Sequence, residues 1–101
     1  MIKNFRNYLP KIISSIQNLL DNAVIYLFGS ALEEKTVASS DIDILIVANI
    51  PKQQLKRAEI LAKIEEKAKL TLNHPFEFHL LTPQEFKSWN SIYHLKLEKL
   101  N

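Results

Sequence analysis

The sequence contains no cysteine, only one glycine and no long uninterrupted hydrophobic run. The missing cysteines exclude a disulfide scaffold, a thiolate metal site and a cysteine nucleophile. A membrane-spanning helix needs a run of about 18 or more apolar residues, and no segment comes near that length. The first residues also lack the apolar core of a signal peptide, so we expect a cytoplasmic protein.

Neither sign of charge is in large excess. Thirteen Lys and Arg residues face eleven Asp and Glu residues, which leaves a formal net charge of +2. So small an excess gives no electrostatic reason to expect direct binding to nucleic acid or to a membrane surface. The 101 residues are 47% hydrophobic and show no repeat or linker-like stretch, so we predict one domain over residues 1–101 with a single core.

Hydrophobic periodicity predicts alternating helices and strands. Helices are predicted over 10–21, 51–70 and 83–89, each opened by a proline, with a further helical segment over 91–100 and short helical turns at 2–8 and 30–34. Strands are predicted over 23–28, 41–48 and 76–81. This order is typical of an α+β fold in which helices cover one face of a small sheet of about three strands.

Two aspartates two residues apart, Asp41 and Asp43, begin the second predicted strand. Side chains two apart on a strand point to the same face, so both carboxylates converge on one point. Mg²⁺ binds through one or two carboxylates and leaves its other positions for phosphate oxygens and water. The pair therefore indicates a magnesium site, although such a pair alone is more often a cap or a turn.

The only glycine, Gly29, is followed by Ser30 where the first predicted strand gives way to a helical turn. A glycine lets the backbone approach a bulky anion because no Cβ intervenes. Backbone N–H groups at a helix start and the serine hydroxyl can then bind a phosphate. Ten residues separate Ser30 from Asp41, and the joint pattern is far rarer than either of its halves.

A third acid, Glu77, lies in the middle of the third predicted strand, on the face opposite Phe76 and Phe78. If that strand lies beside the second, three carboxylates cluster, and a divalent cation is their natural partner. Such a site favours phosphoryl or nucleotidyl transfer, with one carboxylate helping to deprotonate the attacking hydroxyl. His79 shares the face of Glu77; it either contacts the nucleotide, orders Glu77, or is a hydrogen-bonded core histidine.

At these residues the sequence resembles the minimal nucleotidyltransferase family of the polymerase-β-like nucleotidyltransferase superfamily. Residues 26–30, Tyr-Leu-Phe-Gly-Ser, and 40–45, Ser-Asp-Ile-Asp-Ile-Leu, are similar to the family's Gly-Ser-x10-Asp-x-Asp motif. The resemblance continues through Phe-Glu-Phe-His at 76–79 and Leu-Thr-Pro-Gln-Glu-Phe at 81–86. It implies an α+β nucleotidyltransferase fold with a mixed sheet.

The resemblance also implies roles for residues. Gly29 and Ser30 are expected to hold the phosphates of ATP. Asp41, Asp43 and Glu77 are expected to be the catalytic, Mg²⁺-binding carboxylates, with Glu77 placed to activate the acceptor hydroxyl. Small prokaryotic members typically act as antitoxins encoded beside a HEPN-domain ribonuclease toxin. They silence the toxin by transferring AMP to one of its tyrosines, by binding it, or both.

One departure from the family pattern supports an alternative. Many relatives carry Arg after Gly-Ser, where it would support the triphosphate, whereas this chain continues Ala-Leu-Glu-Glu at 31–34. The alternative is therefore a catalytically weak or inactive antitoxin that acts by complex formation alone.

Two further groups of residues have an ordinary interpretation. The Lys residues and Arg57 of the 51–70 helix are expected to form a solvated face. The apolar residues near the C-terminus are expected to be core, or else a patch that docks a partner or a second copy of the chain; they are Trp89, Ile92, Tyr93, Leu95, Leu97 and Leu100.

Overall fold

The structure, a computed structural model, describes residues 6–29, 42–70, 74–93 and 96–101. In chain order these residues form α1 (Leu9–Leu19), β1 (Val24–Phe28), β2 (Ile42–Val47), α2 (Gln54–Lys67), β3 (Phe76–Leu81), α3 (Pro83–Tyr93) and β4 (Glu98–Lys99). No helix in these ranges is long and apolar enough to cross a membrane. The turn predicted at 30–34, and most of the one predicted at 2–8, lie outside the described residues.

The strands form one mixed sheet in the order β3-β2-β1-β4. β2 is antiparallel to β1 and parallel to β3, and β4 is antiparallel to β1. A parallel neighbour needs a long crossover, which α2 provides between β2 and β3. The predicted α+β class and mixed sheet are confirmed, and the predicted strand over 76–81 has those bounds in the structure.

The two faces of the sheet carry separate hydrophobic clusters because side chains alternate along each strand. Ile42, Ile44 and Ile46 face the helices α1 and α2 and pack with Ile12 and Ile64. The intervening residues of the sheet face the other way; Phe28, Leu45 and Val47 pack there with Phe86 and Trp89 of α3 and with Leu97. Full burial of each such side chain stabilises the fold by roughly 1.5–3 kcal/mol.

The prediction that the helices cover one face is therefore wrong, since α3 covers the second. Its physical reason is that β2 is apolar on both faces, so both faces need cover. The segment predicted as helical over 91–100 also differs: α3 ends at Tyr93, and Glu98–Lys99 form β4.

β4 and the residues after it satisfy the outer edge of β1. The N–H of Leu100 donates to the carbonyl oxygen of Ile25 at 2.7 Å. The Asn101 side chain accepts from the N–H of Ile25 at 2.9 Å and donates to the carbonyl oxygen of Ala23 at 2.7 Å. An exposed strand edge offers unpaired backbone groups, and pairing with it outweighs the helical pattern of this segment.

The start and the end of α1 follow their sequence signals closely. Pro10 lies in the first turn of α1, where its missing N–H costs nothing. The predicted stop at 21–22 is confirmed, because Asn22 has a φ of 61°. Asparagine tolerates this left-handed conformation better than most residues, which lets the chain turn sharply into β1.

Arg57 is buried, against the prediction of a solvated face. Its Nε donates to the carbonyl oxygen of Pro51 at 2.6 Å, Nη1 to that of Leu80 at 3.3 Å, and Nη2 to Oε1 of Glu85 at 2.9 Å. Thr82 and Glu85 cap α3 reciprocally: the Thr82 N–H donates to Glu85 Oε1 at 2.8 Å, and the Glu85 N–H to Thr82 Oγ1 at 3.1 Å. We call Arg57, Thr82 and Glu85 the arginine network.

Candidate metal and nucleotide site

The register of the sheet brings two of the predicted acids together. Asp43, near the start of β2, pairs with Phe28 of β1 on one side and with Glu77 of β3 on the other. Neighbouring strands lie about 4.8 Å apart, so facing side chains are direct neighbours. The expectation that the strand of Glu77 lies beside the strand of Asp43 is confirmed.

His79 completes a cluster with these carboxylates. Its Nε2 lies 3.2 Å from Oδ1 of Asp43 and 3.9 Å from Oε1 of Glu77. One donor atom from each of the three residues lies within 4.8 Å of the other two. The side chains are 24% exposed for Asp43, 37% for His79 and 53% for Glu77, so the cluster is open to solvent and to a ligand.

Gly29 follows β1 directly and has a φ of +83°, a conformation that favours glycine. A Cβ at this position would overlap Oδ2 of Asp43 and come within 3.3 Å of its Cγ. The sequence suggested that Gly29 admits a phosphate. The structure shows that it makes room for the carboxylate of Asp43, and its phosphate role stays a prediction.

Several aromatic side chains pack beside the cluster. The ring of Phe28 lies 5.2 Å from that of His79 and 5.5 Å from that of Trp89, centroid to centroid. Trp89 in turn packs on Phe86 at 6.2 Å. Trp89 and Leu97 therefore belong to packed structure, as the core interpretation of the C-terminal apolar residues expects.

Of the five predicted site residues, the structure places Gly29, Asp43 and Glu77 together. Ser30 and Asp41 lie outside the described residues. His79 belongs to the cluster but lies closer to Asp43 than to Glu77; ordering Glu77 is one of the three alternatives that the sequence leaves open for it. The sequence signal for this contact is slight, because only the register of β2 against β3 shows which aspartate a residue of β3 meets.

The donor set fits a divalent cation. Two carboxylates face each other across neighbouring strands, and within the described ranges their ion-pair partner is His79 rather than a Lys or an Arg. Carboxylate oxygens are the ligands that Mg²⁺ and Mn²⁺ prefer. Gly29 adds the space that keeps the Asp43 carboxylate in the cluster.

A family model for the nucleotidyltransferase domain matches residues 9–99. The chain belongs to this nucleotidyltransferase domain family. Among solved structures, one described as a candidate nucleotidyltransferase is 30% identical, with a TM-score of 0.72 over 94% of this chain and 99% of that one. No curated protein sequence matches this chain. The mixed sheet with three helices is thus a nucleotidyltransferase fold.

Two further solved structures are similar to this nucleotidyltransferase-domain chain. A candidate nucleotidyltransferase from Sulfolobus solfataricus is 21% identical, with a TM-score of 0.63 over 98% of this chain and 78% of that one, which shows a common fold. A toxin-antitoxin structure with AMP-PNP is 26% identical, with a TM-score of 0.52 over 71% of this chain. The match spans 56% of that relative's chain.

Proposed function

We propose that this nucleotidyltransferase-domain protein transfers AMP from ATP, with Mg²⁺, to a tyrosine hydroxyl of a HEPN-domain toxin and thereby acts as an antitoxin. The observation that carries the proposal is the convergence of Asp43 and Glu77 on neighbouring strands beside Gly29. Facing carboxylates at an open position of the fold suit the binding of a metal-bound triphosphate.

In this proposal the carboxylates hold the metal ion, and the Gly-Ser pair holds the phosphates. Asp43 would hold Mg²⁺ together with Asp41 and Glu77, and Gly29 and Ser30 would hold the phosphates of ATP. When bound, Mg²⁺ supplies positive charge that neutralises the triphosphate and stabilises the charge that develops during transfer. Asp43 is confined by the glycine and by the imidazole of His79, so its oxygen is held in one place.

Glu77 is the candidate for proton transfer. It is the most exposed member of the cluster, so an acceptor hydroxyl from another protein can reach its carboxylate. A carboxylate within hydrogen-bond reach of the attacking hydroxyl accepts its proton as the oxygen forms the new bond to phosphorus. The leaving pyrophosphate then departs on the opposite side of the transferred AMP.

The choice of a toxin as acceptor rests on two supports. The sequence resembles the minimal nucleotidyltransferases, and a toxin-antitoxin structure with AMP-PNP shares the fold at 26% identity. The described chain is also small and has its second sheet face covered by α3. An acceptor supplied by a separate protein suits a domain of this size better than a deep pocket for a small molecule.

Label transfer tests the proposal. The protein is incubated with a HEPN-domain protein encoded by the neighbouring gene, with Mg²⁺ and ATP labelled at the α-phosphate, and the toxin is then examined for label. We expect label on a toxin tyrosine, and its loss in the Asp41→Asn/Asp43→Asn variant. Asp21→Asn is the matched control, because Asp21 is exposed and lies in the turn before β1. Label that persists in the double variant would contradict the assigned residues.

A second candidate function is neutralisation of the toxin by binding alone. It is favoured by the sequence Ala-Leu-Glu-Glu at 31–34, which has Ala31 where many relatives carry Arg and two acids shortly after it. Under this alternative the Asp41→Asn/Asp43→Asn variant rescues cells from the toxin as well as the unaltered protein does, at equal expression. Loss of rescue in that variant, with the complex still formed, would instead support AMP transfer.

A further inference from the structure

We propose that His79 is a metal ligand of this site and that its nitrogen makes the site bind first-row transition-metal ions more tightly than Mg²⁺. The inference rests on the proposed function only in taking the cluster of Asp43, Glu77 and His79 as a metal site. It adds the identity of a ligand that the carboxylate pattern does not contain, and with it the class of metal.

The two separations between His79 and the carboxylate oxygens lie in the range found between ligand atoms around one ion. Ligand atoms about 2.1 Å from an octahedral metal lie about 3.0 Å apart when adjacent and about 4.2 Å apart when opposite. The Nε2 of His79 lies 3.2 Å from an oxygen of Asp43 and 3.9 Å from one of Glu77. All three donors fall within 4.8 Å of one another, so an ion could be bound with little movement of the side chains.

The position of His79 is fixed by the sheet and by its neighbours. It is two residues beyond Glu77 on β3 and therefore lies on the same face. Its ring packs at 5.2 Å from that of Phe28, whose other neighbour is Trp89 at 5.5 Å. Because the imidazole packs against the tilted ring of Phe28, Nε2 stays beside the carboxylates, and the His79 side chain is still 37% exposed.

The donor chemistry determines the preference. Mg²⁺ favours oxygen ligands and keeps several waters, whereas imidazole suits the transition metals, whose affinity for nitrogen exceeds that of Mg²⁺. Replacing one water by an imidazole therefore benefits Mn²⁺ and the later metals of the series more than Mg²⁺. A site of two carboxylates and one imidazole selects among these ions by the nitrogen.

Pulsed EPR of Mn²⁺ bound to the full chain, without nucleotide, tests the assignment directly. We expect the ¹⁴N coupling of a directly bound imidazole in the unaltered protein and its loss in His79→Gln. His74→Gln is the matched control: His74 Nε2 bonds to Glu65 at 2.6 Å, away from the cluster, so this variant keeps the coupling. Bound Mn²⁺ without nitrogen coupling in the unaltered protein overturns the proposal without recourse to any variant.

Competition titration of Mn²⁺ against Mg²⁺ tests the preference. We expect His79→Gln to weaken Mn²⁺ binding by at least about tenfold, the loss typical even of residues that only orient ligands, and Mg²⁺ binding by less than about threefold. An equal loss for both metals overturns the proposal, provided that thermal unfolding shows the variant folded. Label transfer with Mg²⁺ but without nitrogen coupling contradicts this inference and leaves the proposed function intact. Nitrogen coupling without label transfer supports this inference and contradicts the proposed function.

Discussion

The charged side chains at the two ends of β3 have opposite kinds of neighbour. At its C-terminal end, Arg57 is matched by two backbone carbonyls and by Glu85, and Glu85 also caps α3. At its N-terminal end, Glu77 faces another carboxylate, Asp43, across the sheet, and an imidazole is their neighbour. The first arrangement is complete without a ligand, while the second brings like charges together.

The contrast separates groups that maintain the fold from groups available for chemistry. Arg57 is 11% exposed and donates to groups of the protein itself, so its removal takes a donor from the buried contact with Leu80 and from the part-buried contact with Pro51. Asp43 and Glu77 are more exposed and have spare acceptor capacity. We therefore expect substitutions at the arginine network to affect stability, and substitutions at the cluster to affect activity.

The largest effect is expected for Asp43→Asn. Loss of a metal-binding carboxylate should lower the rate of AMP transfer by on the order of 10³-fold, because metal charge stabilises the transition state by several kcal/mol. The free energy of unfolding should change by less than about 1 kcal/mol, since the neutral amide no longer repels Glu77. Transfer rates and thermal unfolding measure the two quantities. A large loss of stability would contradict the expectation that substitutions in the cluster affect activity and not the fold.

Arg57→Met comes next and should show the opposite pattern. The apolar stem is retained, but two carbonyls and Glu85 lose their donor, so we expect a loss of about 3 kcal/mol in the free energy of unfolding. Denaturant titration gives this value. The fraction that remains folded should transfer AMP at the normal rate; a slower rate per folded molecule would mean that the network also shapes the site.

Gly29→Ala should affect both properties. A Cβ at φ +83° is strained and overlaps the Asp43 carboxylate, so we expect a loss of about 2 kcal/mol together with slower transfer. A double-mutant cycle with Asp43→Ala isolates the overlap, because Gly29→Ala should cost less once the carboxylate is gone. Equal costs in both backgrounds would assign the loss to backbone strain alone.

Glu85→Gln should have the smallest effect and a pH dependence. The N–H of Thr82, and then the Arg57 guanidinium, hold the pKa of the Glu85 carboxyl below its ordinary value of 4.5. The ionised carboxylate therefore stabilises the fold above pH 4.5, and this contribution is lost as the pH falls through the lowered pKa. We expect the variant to be less stable by only about 0.5 kcal/mol at pH 7, because Gln can also fill the capping position and solvent screens the pair with Arg57. The difference should shrink below pH 4.5 in unfolding curves.

Local patterns predicted much of this fold. The strand over 76–81 and the turn at Asn22 follow from alternation and from residue conformational preferences, both of which act within a few residues. The reciprocal cap was not predicted, although it has a local signal: Thr82-Pro-Gln-Glu85 has the Thr-x-x-Glu spacing of a capping box. The adjacency of Asp43 and Glu77 followed once their strands were placed side by side.

Long-range contacts account for what could not be predicted. Nothing local marks 98–99 as a strand, because its partner is the edge of β1 some 70 residues earlier. The burial of Arg57 depends on carbonyls from Pro51 and Leu80, which sequence spacing does not bring together. Likewise the contact of His79 with Asp43 depends on the register of two strands separated by a whole helix.

The parallel pairing of β2 with β3 determines how the site can vary among related proteins. A slip of β3 by one residue would turn Glu77 into the core and its neighbouring phenylalanines outward, so burial opposes it strongly. A slip by two residues keeps the faces but moves Glu77 about 7 Å along the sheet from Asp43. The pairing opposes that change, including its end bonds from the Ile42 N–H to the Pro75 carbonyl oxygen at 2.7 Å and from the Ala48 N–H to the Leu81 carbonyl oxygen at 3.0 Å. Length changes before Pro75 are therefore compatible with the chemistry, whereas deletions within 76–81 are not.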